Sequence, residues 1–367
     1  MTALSGGVFD TGTADDDGAE LRQLVDDIGR RSFDAKLGRR RVPEQFDADL
    51  WRNLEDTGLT RLTSTPDLDA GPQELAIVLF GVARHAGAVP LAETDALACW
   101  LAQQAGIEVP DGPLTVAIAD AELAGGGVAG GRIAGTAIDV PWTLASSAVL
   151  LAVRGRDELR VGLLDLDPDL DKATVEEGHN LAGEPRDRIT FDVATDELTA
   201  VDGAIAGELA LRGAWCRCVQ IIGALDAAAV LSVEHTRERV QFGRPLSKFQ
   251  AVQHALAGMA GEIERARAAA TLAVAAATDH GFDSGQTEYA VTVAKVAVGR
   301  AAGAVTTIAH QLHGAIGVTA EHPLWSATMR AQSWTQDYGT TAGYARRLGR
   351  MVLAAAEPWD LVIGNLT

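Results

Sequence analysis

The segment 237–254 reads R-E-R-V-Q-F-G-R-P-L-S-K-F-Q-A-V-Q-H and is dense in side chains that can bind an anion. Glycine relaxes the backbone and proline fixes φ, so Gly243 and Pro245 predict a break between two helices. Ser247, followed three residues later by Gln250, predicts a capping box at the start of the second helix. Cationic and amide donors beside a helix N-terminus favour a ligand such as a phosphate. On residue types alone, however, an ordinary helix–helix turn with solvated arginines is favoured over an anion site.

Composition narrows the class of protein. The chain has 367 residues, of which 47% are hydrophobic, which is typical of a globular protein of two or three domains. A net charge of −19 argues against nucleic acid and against anionic membrane surfaces as partners. Any polyanionic ligand must then be bound by a local basic cluster. The turn at 237–244 is the densest such cluster besides residues 39–41, which are all arginine.

Other composition signals favour a cytoplasmic protein. The first 20 residues are polar and acidic and do not resemble a secretory signal, and no uninterrupted apolar run approaches the length needed to span a membrane. The cysteines Cys99, Cys216 and Cys218 are odd in number, and the C-x-C pair has no partner pair for zinc. We therefore expect reduced core cysteines and no metal site.

The order of the elements predicts an α+β protein with three domains after a flexible leader at 1–17. Residues 18–111 carry apolar residues at helical spacing and predict an N-terminal helical domain. In 112–201 short β-type runs alternate with Gly, Asp and Pro clusters, which predicts a small central β-barrel or sandwich domain. In 202–367 two long helices with apolar seams at steps of three and four predict a C-terminal four-helix bundle.

Motifs that carry other chemistries are missing from the sequence. It contains no nucleophile elbow, no H-E-x-x-H and no Cys/His spacing for a metal. The triple glycine at 125–127 is read as a hairpin connection, because no phosphate-loop pattern opens from it onto a helix. The residues alone therefore indicate a three-domain α+β protein with one candidate anion site.

The same motifs resemble the flavin-dependent acyl-CoA dehydrogenase family over nearly the whole chain. The turn R-E-R-V-Q-F-G-R-P-L-S-K-F-Q is similar to the family's R-x-x-F-G-x-x-L-x-x-x-Q. The segment 310–324, H-Q-L-H-G-A-I-G-V-T-A-E-H-P-L, is similar to Q-x-x-G-G-x-G-x-x-x-E-x-P, and 330–341 resembles the closing segment. The short length and the L-H-G-x-I-G wording resemble the smaller subunit of heterotetrameric (α2β2) actinobacterial acyl-CoA dehydrogenases, associated with lipid or steroid degradation.

The resemblance implies FAD as the cofactor, between the β-domain and the bundle, with part of the site supplied by a neighbouring subunit. By position, one group of residues would contact the diphosphate and adenine of a flavin: Arg239, Gln241, Phe242, Leu246 and Gln250. A second group would approach from the other protomer: Gln311, Gly314 and Ala315. A dianionic diphosphate needs donors such as Arg239 and Gln241, so the resemblance reverses the preference for an ordinary turn.

The family chemistry needs a carboxylate that removes the α-proton of an acyl thioester while the β-hydrogen leaves as hydride. In most relatives this base precedes G-T in the closing segment, which here reads Q-D-Y-G-T-T and contains Asp337 as its only carboxylate. A minority carry the base at the start of the first bundle helix, where Arg212 stands here and the nearest acids are Glu208 and Asp226. The alternative for Asp337 is a solvated or capping acid.

The β-domain departs from the family pattern. Where relatives show T-E-P-x-x-G-S-D and W-I-T segments that hold the flavin ring, this chain has I-A-D-A-E-L-A-G-G-G at 118–127 and I-D-V-P at 138–141. The motifs that bind the adenosine and diphosphate of FAD in the family are present in this chain. The motifs that hold the flavin ring and abstract the α-proton of the substrate are altered.

Three hypotheses follow. In the first, the chain is an acyl-CoA dehydrogenase subunit that completes the FAD site of a distinct catalytic subunit, acts on an acyl-CoA and passes electrons to a flavoprotein acceptor. In the second, it is a self-sufficient homo-oligomeric enzyme with Asp337 as base. In the third, it is a flavin-free structural or regulatory relative.

Overall fold

The computed structural model describes residues 18–38, 42–120, 128–129, 131–167, 169, 172–319 and 322–362. The predicted leader at 1–17, the arginines at 39–41 and the triple glycine at 125–127 lie outside this part of the chain. The described residues form two compact units. The first unit contains 18–38, 70–87 and 214–362, and the second contains 42–69 and 88–213. The helical N-terminal third therefore contributes to both units.

The helices of the first unit are long and surround an alanine-rich core. They are α1 (Ala19–Lys36), α3 (Pro72–Arg84), the end of α5 (Ala204–Glu238), α6 (Gln250–His280), α7 (Gly285–His313), α8 (Leu324–Trp334), α9 (Thr341–Ala354) and α10 (Pro358–Val362). The apolar seams predicted for α6 and α7 are buried over most of their length, including Met259, Ile263, Val291 and Val298. The indole N–H of Trp215 in α5 donates to a carbonyl of α6 at 3.2 Å. Helices α1 and α3 pack on each other, and α3 also packs on α6.

The second unit contains two four-stranded sheets. The first sheet has the order β1-β4-β5-β8, in which β1 and β4 are parallel, and the second has the order β2-β3-β7-β6. Their bounds are β1 (Leu114–Asp120), β2 (Val128–Ala129), β3 (Arg132–Pro141), β4 (Ala148–Arg154), β5 (Glu158–Leu164), β6 (Ala173–Glu176), β7 (Arg186–Ala194) and β8 (Thr199–Asp202). Side chains from both sheets share one core, among them Leu151, Val153, Ile189 and Phe191. The described strands form a sandwich without a closed barrel.

Helical segments complete the second unit. Helix α2 (Ala48–Asp56) begins where the Asp47 carboxylate accepts the N–H of Leu50 at 3.0 Å. A buried π-helical segment, Glu93–Cys99, leads into α4 (Trp100–Ala105). The α+β fold class predicted from the sequence is confirmed.

Two helical segments, Ala204–Glu238 and Gly285–Val318, are long and apolar enough to cross a membrane by length and composition. The most apolar windows of these segments are 72% and 56% buried inside the protein. Burial of this kind is the ordinary property of core helices in a globular protein.

Candidate functional site

The break between α5 and α6 is a tight β-hairpin. Strands β9 (Val240–Gln241) and β10 (Arg244–Pro245) pair antiparallel, with Gln241 opposite Arg244. The two residues between them have positive φ, 52° at Phe242 and 76° at Gly243, as a two-residue hairpin turn requires. The helix break predicted from Gly243 and Pro245 is therefore confirmed.

The capping box predicted from Ser247 and Gln250 is wrong. Helix α6 begins at Gln250 with Phe249 as N-cap, and no side chain caps it. Ser247 lies in the 3₁₀ turn Leu246–Lys248, and its carbonyl accepts the side-chain amide of Gln253 at 3.0 Å. The α-helix therefore begins only after this 3₁₀ turn and the extended residue Phe249.

The predicted ligand-binding donors of this turn face solvent. Arg239, Gln241 and Gln250 are exposed, and Phe242 is 90% exposed. Within the described part of the chain, the side chains of Arg239 and Gln241 make no ion pair or hydrogen bond. Arg244, in contrast, lies over the ring of Phe249 at 4.2 Å. Arg239 is thus the cation of the hairpin that remains available to an anion.

The second predicted binding segment lies at the end of α7. Gln311, Gly314 and Ala315 are exposed there, and Gly314 turns the chain with φ 64° and ψ −146°. The ring of His313 in the last turn of α7 stacks on the ring of His235 in the last turns of α5, with centroids 4.4 Å apart. The ends of α5 and α7 therefore lie side by side within one chain.

Asp337, the predicted base, is held by a buried cation. Nε of Arg217 donates to Oδ2 of Asp337 at 2.8 Å, and the two side chains are only 3% and 18% exposed. The backbone around Asp337 is also fixed, because the ammonium of Lys295 donates to the carbonyls of Trp334, Thr335 and Asp337 at 3.3, 3.2 and 2.7 Å. Burial lowers the pKa of Lys295 from its ordinary value. These contacts anchor the segment after α8 to α5 and α7.

The two other candidate acids are also paired. Glu208 accepts from Arg212, one turn later on α5, at 2.9 Å, and the guanidinium of Arg212 lies 4.3 Å from the centre of the Trp100 ring. Asp226 in the first unit lies 2.8 Å from Nε of Arg84 and 3.2 Å from a nitrogen of Arg267. All three acids considered for proton abstraction therefore have arginine partners.

The β-domain segments that depart from the family pattern are only partly described. Residues 121–127 lie outside the described part of the chain, whereas 138–141 form an irregular end of β3, with a register shift between Ala137 and Val140. Asp139 has φ 56°, and Ile138 is 59% exposed. This irregularity was not expected from the sequence.

The residues present on the first unit fit the adenosine-diphosphate part of FAD. An unpaired guanidinium and exposed amides can oppose a diphosphate. The exposed ring of Phe242 and the half-buried Leu246 offer an apolar surface to an adenine, and Gly314 presents backbone without a side chain.

Comparison with known proteins identifies the family that this chain resembles. Residues 204–353 match the family described as acyl-CoA dehydrogenase, C-terminal domain. The acyl-CoA dehydrogenase FadE27 of Mycobacterium tuberculosis is 26% identical, and the alignment covers 93% of this chain and 97% of that protein. The 3-sulfinopropanoyl-CoA desulfinase of Paraburkholderia xenovorans is 32% identical over 51% of this chain and half of that protein.

The fold comparison agrees. A chain of the ChsE4–ChsE5 complex from Mycobacterium tuberculosis superposes with a TM-score of 0.80 at 24% identity, over 95% of this chain and 100% of that chain. The predicted resemblance to the acyl-CoA dehydrogenase family is thereby confirmed. Acyl-CoA dehydrogenases are FAD-dependent, so the predicted cofactor is the cofactor of the family.

Proposed function

We propose that this chain is a subunit of an FAD-dependent acyl-CoA dehydrogenase and completes the FAD site of a distinct catalytic subunit. The supporting observation is a contrast between two groups of residues. Asp337, Glu208 and Asp226 have arginine partners. The donors of the hairpin face solvent and, among the described residues, Arg239 and Gln241 have no side-chain partner. Such a chain is better equipped to bind a cofactor than to remove a proton.

In this proposal the side chains of the first unit hold the non-reacting end of the cofactor. Arg239 opposes the diphosphate charge, and the amides of Gln241, Gln250 and Gln311 donate hydrogen bonds. Further contacts come from Phe242 and Leu246, which cover the adenine, and from the backbone at Gly314 and Ala315. Bound FAD supplies hydride acceptance from the β-carbon of the acyl thioester. The carboxylate that takes the α-proton comes from the partner subunit.

The comparisons support a paired assembly. One similar structure is the ChsE4–ChsE5 complex, which contains two differently named proteins. We propose an α2β2 arrangement in the cytoplasm, an acyl-CoA substrate from lipid or steroid degradation, and a flavoprotein as electron acceptor. The self-sufficient enzyme with Asp337 as base is the second candidate, because Asp337 stands in the family's closing segment.

The test is to purify the chain alone and together with an acyl-CoA dehydrogenase encoded beside it, and to measure FAD from the visible absorption spectrum. We expect little FAD on the chain alone, and FAD with acyl-CoA-dependent reduction of an electron acceptor in the complex. Arg239→Gln should lower the FAD content of the complex, whereas Arg237→Gln, an exposed arginine two residues earlier, should not.

Two results would count against the proposal. A stable yellow homo-oligomer of this chain that oxidises acyl-CoA unaided would show that no partner is needed. A complex that forms without FAD would favour the flavin-free relative.

A further inference from the structure

Three histidines meet beside the ends of α5 and α7. His235 comes from α5, His313 is the last residue of α7, and His322 lies just before α8. One ring nitrogen from each lies within 4.8 Å of those from the other two. The ring of His322 is roughly perpendicular to both others, with centroids 4.6 Å from His313 and 6.1 Å from His235. The sequence predicted no metal site here, because these residues follow no recognised ligand spacing and converge only in the fold.

His313 is positioned as a metal ligand. It is 6% exposed, and its Nδ1 lies 2.8 Å from the carbonyl oxygen of Ala309, which accepts the ring proton. Nε2 consequently carries the lone pair, and it is buried without a well-formed hydrogen bond in the described part of the chain. The backbone of Leu231 nevertheless lies close enough to the ring to raise the pKa of His313. A ring N–H fixed by a carbonyl, with the other nitrogen unoccupied, is the usual arrangement of a metal-binding histidine. An unpaired buried nitrogen is otherwise a cost to the fold.

The two other rings are half-buried, so the cluster can be reached from solvent. Nδ1 of His322 accepts the backbone N–H of Leu324 at 3.2 Å, so in the neutral ring this lone pair is occupied and Nε2 carries the proton. Metal binding by His322 therefore requires this hydrogen bond to break. His235 stacks nearly parallel on His313, with an angle of 23° between the rings. Because a metal must lie in the plane of each ring, His235 has to turn out of this stack to bind, and its half-exposed position leaves it room to do so.

Burial lowers the pKa of all three histidines, that of His313 to about 4. Arg239 lowers the pKa of His235 further, whereas Glu238 raises it.

We propose that His235, His313 and His322 bind one divalent metal ion of the zinc class. Imidazole nitrogens are the preferred ligands of Zn²⁺, with bonds of about 2.0–2.1 Å. Nitrogens within 4.8 Å of one another need to approach by no more than about 1.5 Å to reach tetrahedral geometry. Three protein ligands leave a fourth position for water or an anionic oxygen. The site requires only this chain and does not depend on the flavin.

The experiment titrates Co²⁺, a spectroscopic substitute for zinc, into the full chain without a polyhistidine tag and after treatment with a chelator. We expect one Co²⁺ per chain with the intense absorption of a four-coordinate site, and its displacement by Zn²⁺. His235→Gln and His322→Gln change half-exposed residues and should each weaken binding at least about 10-fold. His280→Gln, an exposed histidine at the far end of α6, is the matched control and should bind like the wild type.

Circular dichroism checks that each variant is folded. Equal Co²⁺ binding by the wild type, His235→Gln and His322→Gln would overturn the proposal. So would a weak six-coordinate spectrum in all of them. A raised unfolding temperature with Zn²⁺ in the wild type, lost in His322→Gln and kept in His280→Gln, would support it independently of the spectrum.

Discussion

Replacing Asp337 by asparagine tests whether the carboxylate of Asp337 has a structural or a catalytic role. The substitution keeps the size of the side chain and removes its charge. In the structure Arg217 is 3% exposed, and its Nε donates to Asp337 and its Nη1 to Gln220. The asparagine would therefore leave a buried guanidinium without its carboxylate. We expect Asp337→Asn to lower the free energy of unfolding.

The magnitude follows from the geometry. Unit charges 2.8 Å apart attract by about 6 kcal/mol at an effective dielectric constant of about 20, which is an upper limit. Removing one partner of a buried pair costs about 3–5 kcal/mol. Asp337 retains 18% exposure, and asparagine can still accept a hydrogen bond worth about 1 kcal/mol. We therefore expect a loss of about 3 kcal/mol, and a smaller loss in Arg217→Met/Asp337→Asn, because the double variant buries no unpaired charge.

The assay is urea unfolding followed by tryptophan fluorescence, run beside acyl-CoA-dependent turnover of the FAD-loaded complex. Glu262→Gln is the control, because it neutralises a half-buried carboxylate whose partner, Arg265, is exposed, and it should change stability by at most about 0.5 kcal/mol. The reasoning fails if Asp337→Asn is as stable as the wild type. Unchanged stability together with lost turnover would instead make Asp337 the catalytic base.

Three further outcomes are expected. Arg239→Gln should weaken FAD binding to the complex about 10- to 100-fold through loss of a charge-assisted hydrogen bond, measured by FAD titration; unchanged affinity would remove Arg239 from the site. Gly314→Ala should cost about 1–3 kcal/mol in urea unfolding, because only glycine readily adopts φ 64° with ψ −146°. Gly303→Ala, within α7 and facing open space, is its control. Because burial lowers the pKa of His313 from 6.5 to about 4, the unfolded chain takes up this proton first as the pH falls. Its contribution to stability should therefore be present above pH 6.5 and be lost toward pH 4, and a His313→Gln variant with the same pH slope would contradict this.

Periodic apolar patterns predicted the long elements well. The seams of α6 and α7 and the strands β1, β3, β4, β5 and β7 were recognisable from spacing, since burial repeats with the period of the element. The short strands β6 and β8 were missed, because four residues are too few to show alternation. The start of α6 was misplaced because Ser247 and Gln250 have cap-forming types, yet Ser247 lies in a 3₁₀ turn and the α-helix starts only after Phe249.

The candidate site was predictable where its residues are close in the chain. The hairpin donors all lie within one short stretch of the chain, so their residue types and order indicated the candidate anion site. Arg217 and Asp337 are 120 residues apart, and no sequence signal joined them. His235, His313 and His322 likewise come from three elements. The pair His310 and His313, with His322 shortly after, was the only hint of the cluster, and helix capping explained it equally well.

The division of the chain has a consequence for biosynthesis. The first unit combines helices from the N-terminal 87 residues with the helical segments that follow residue 213. During translation α3 therefore leaves the ribosome long before its partner α6 has been made. The face of α3 that packs on α6 therefore stays exposed to solvent, or bound to a chaperone, while the complete β-domain is synthesised. Separate expression of residues 214–367 should accordingly yield an insoluble product, because α6 would lack the partner that only the first helices provide.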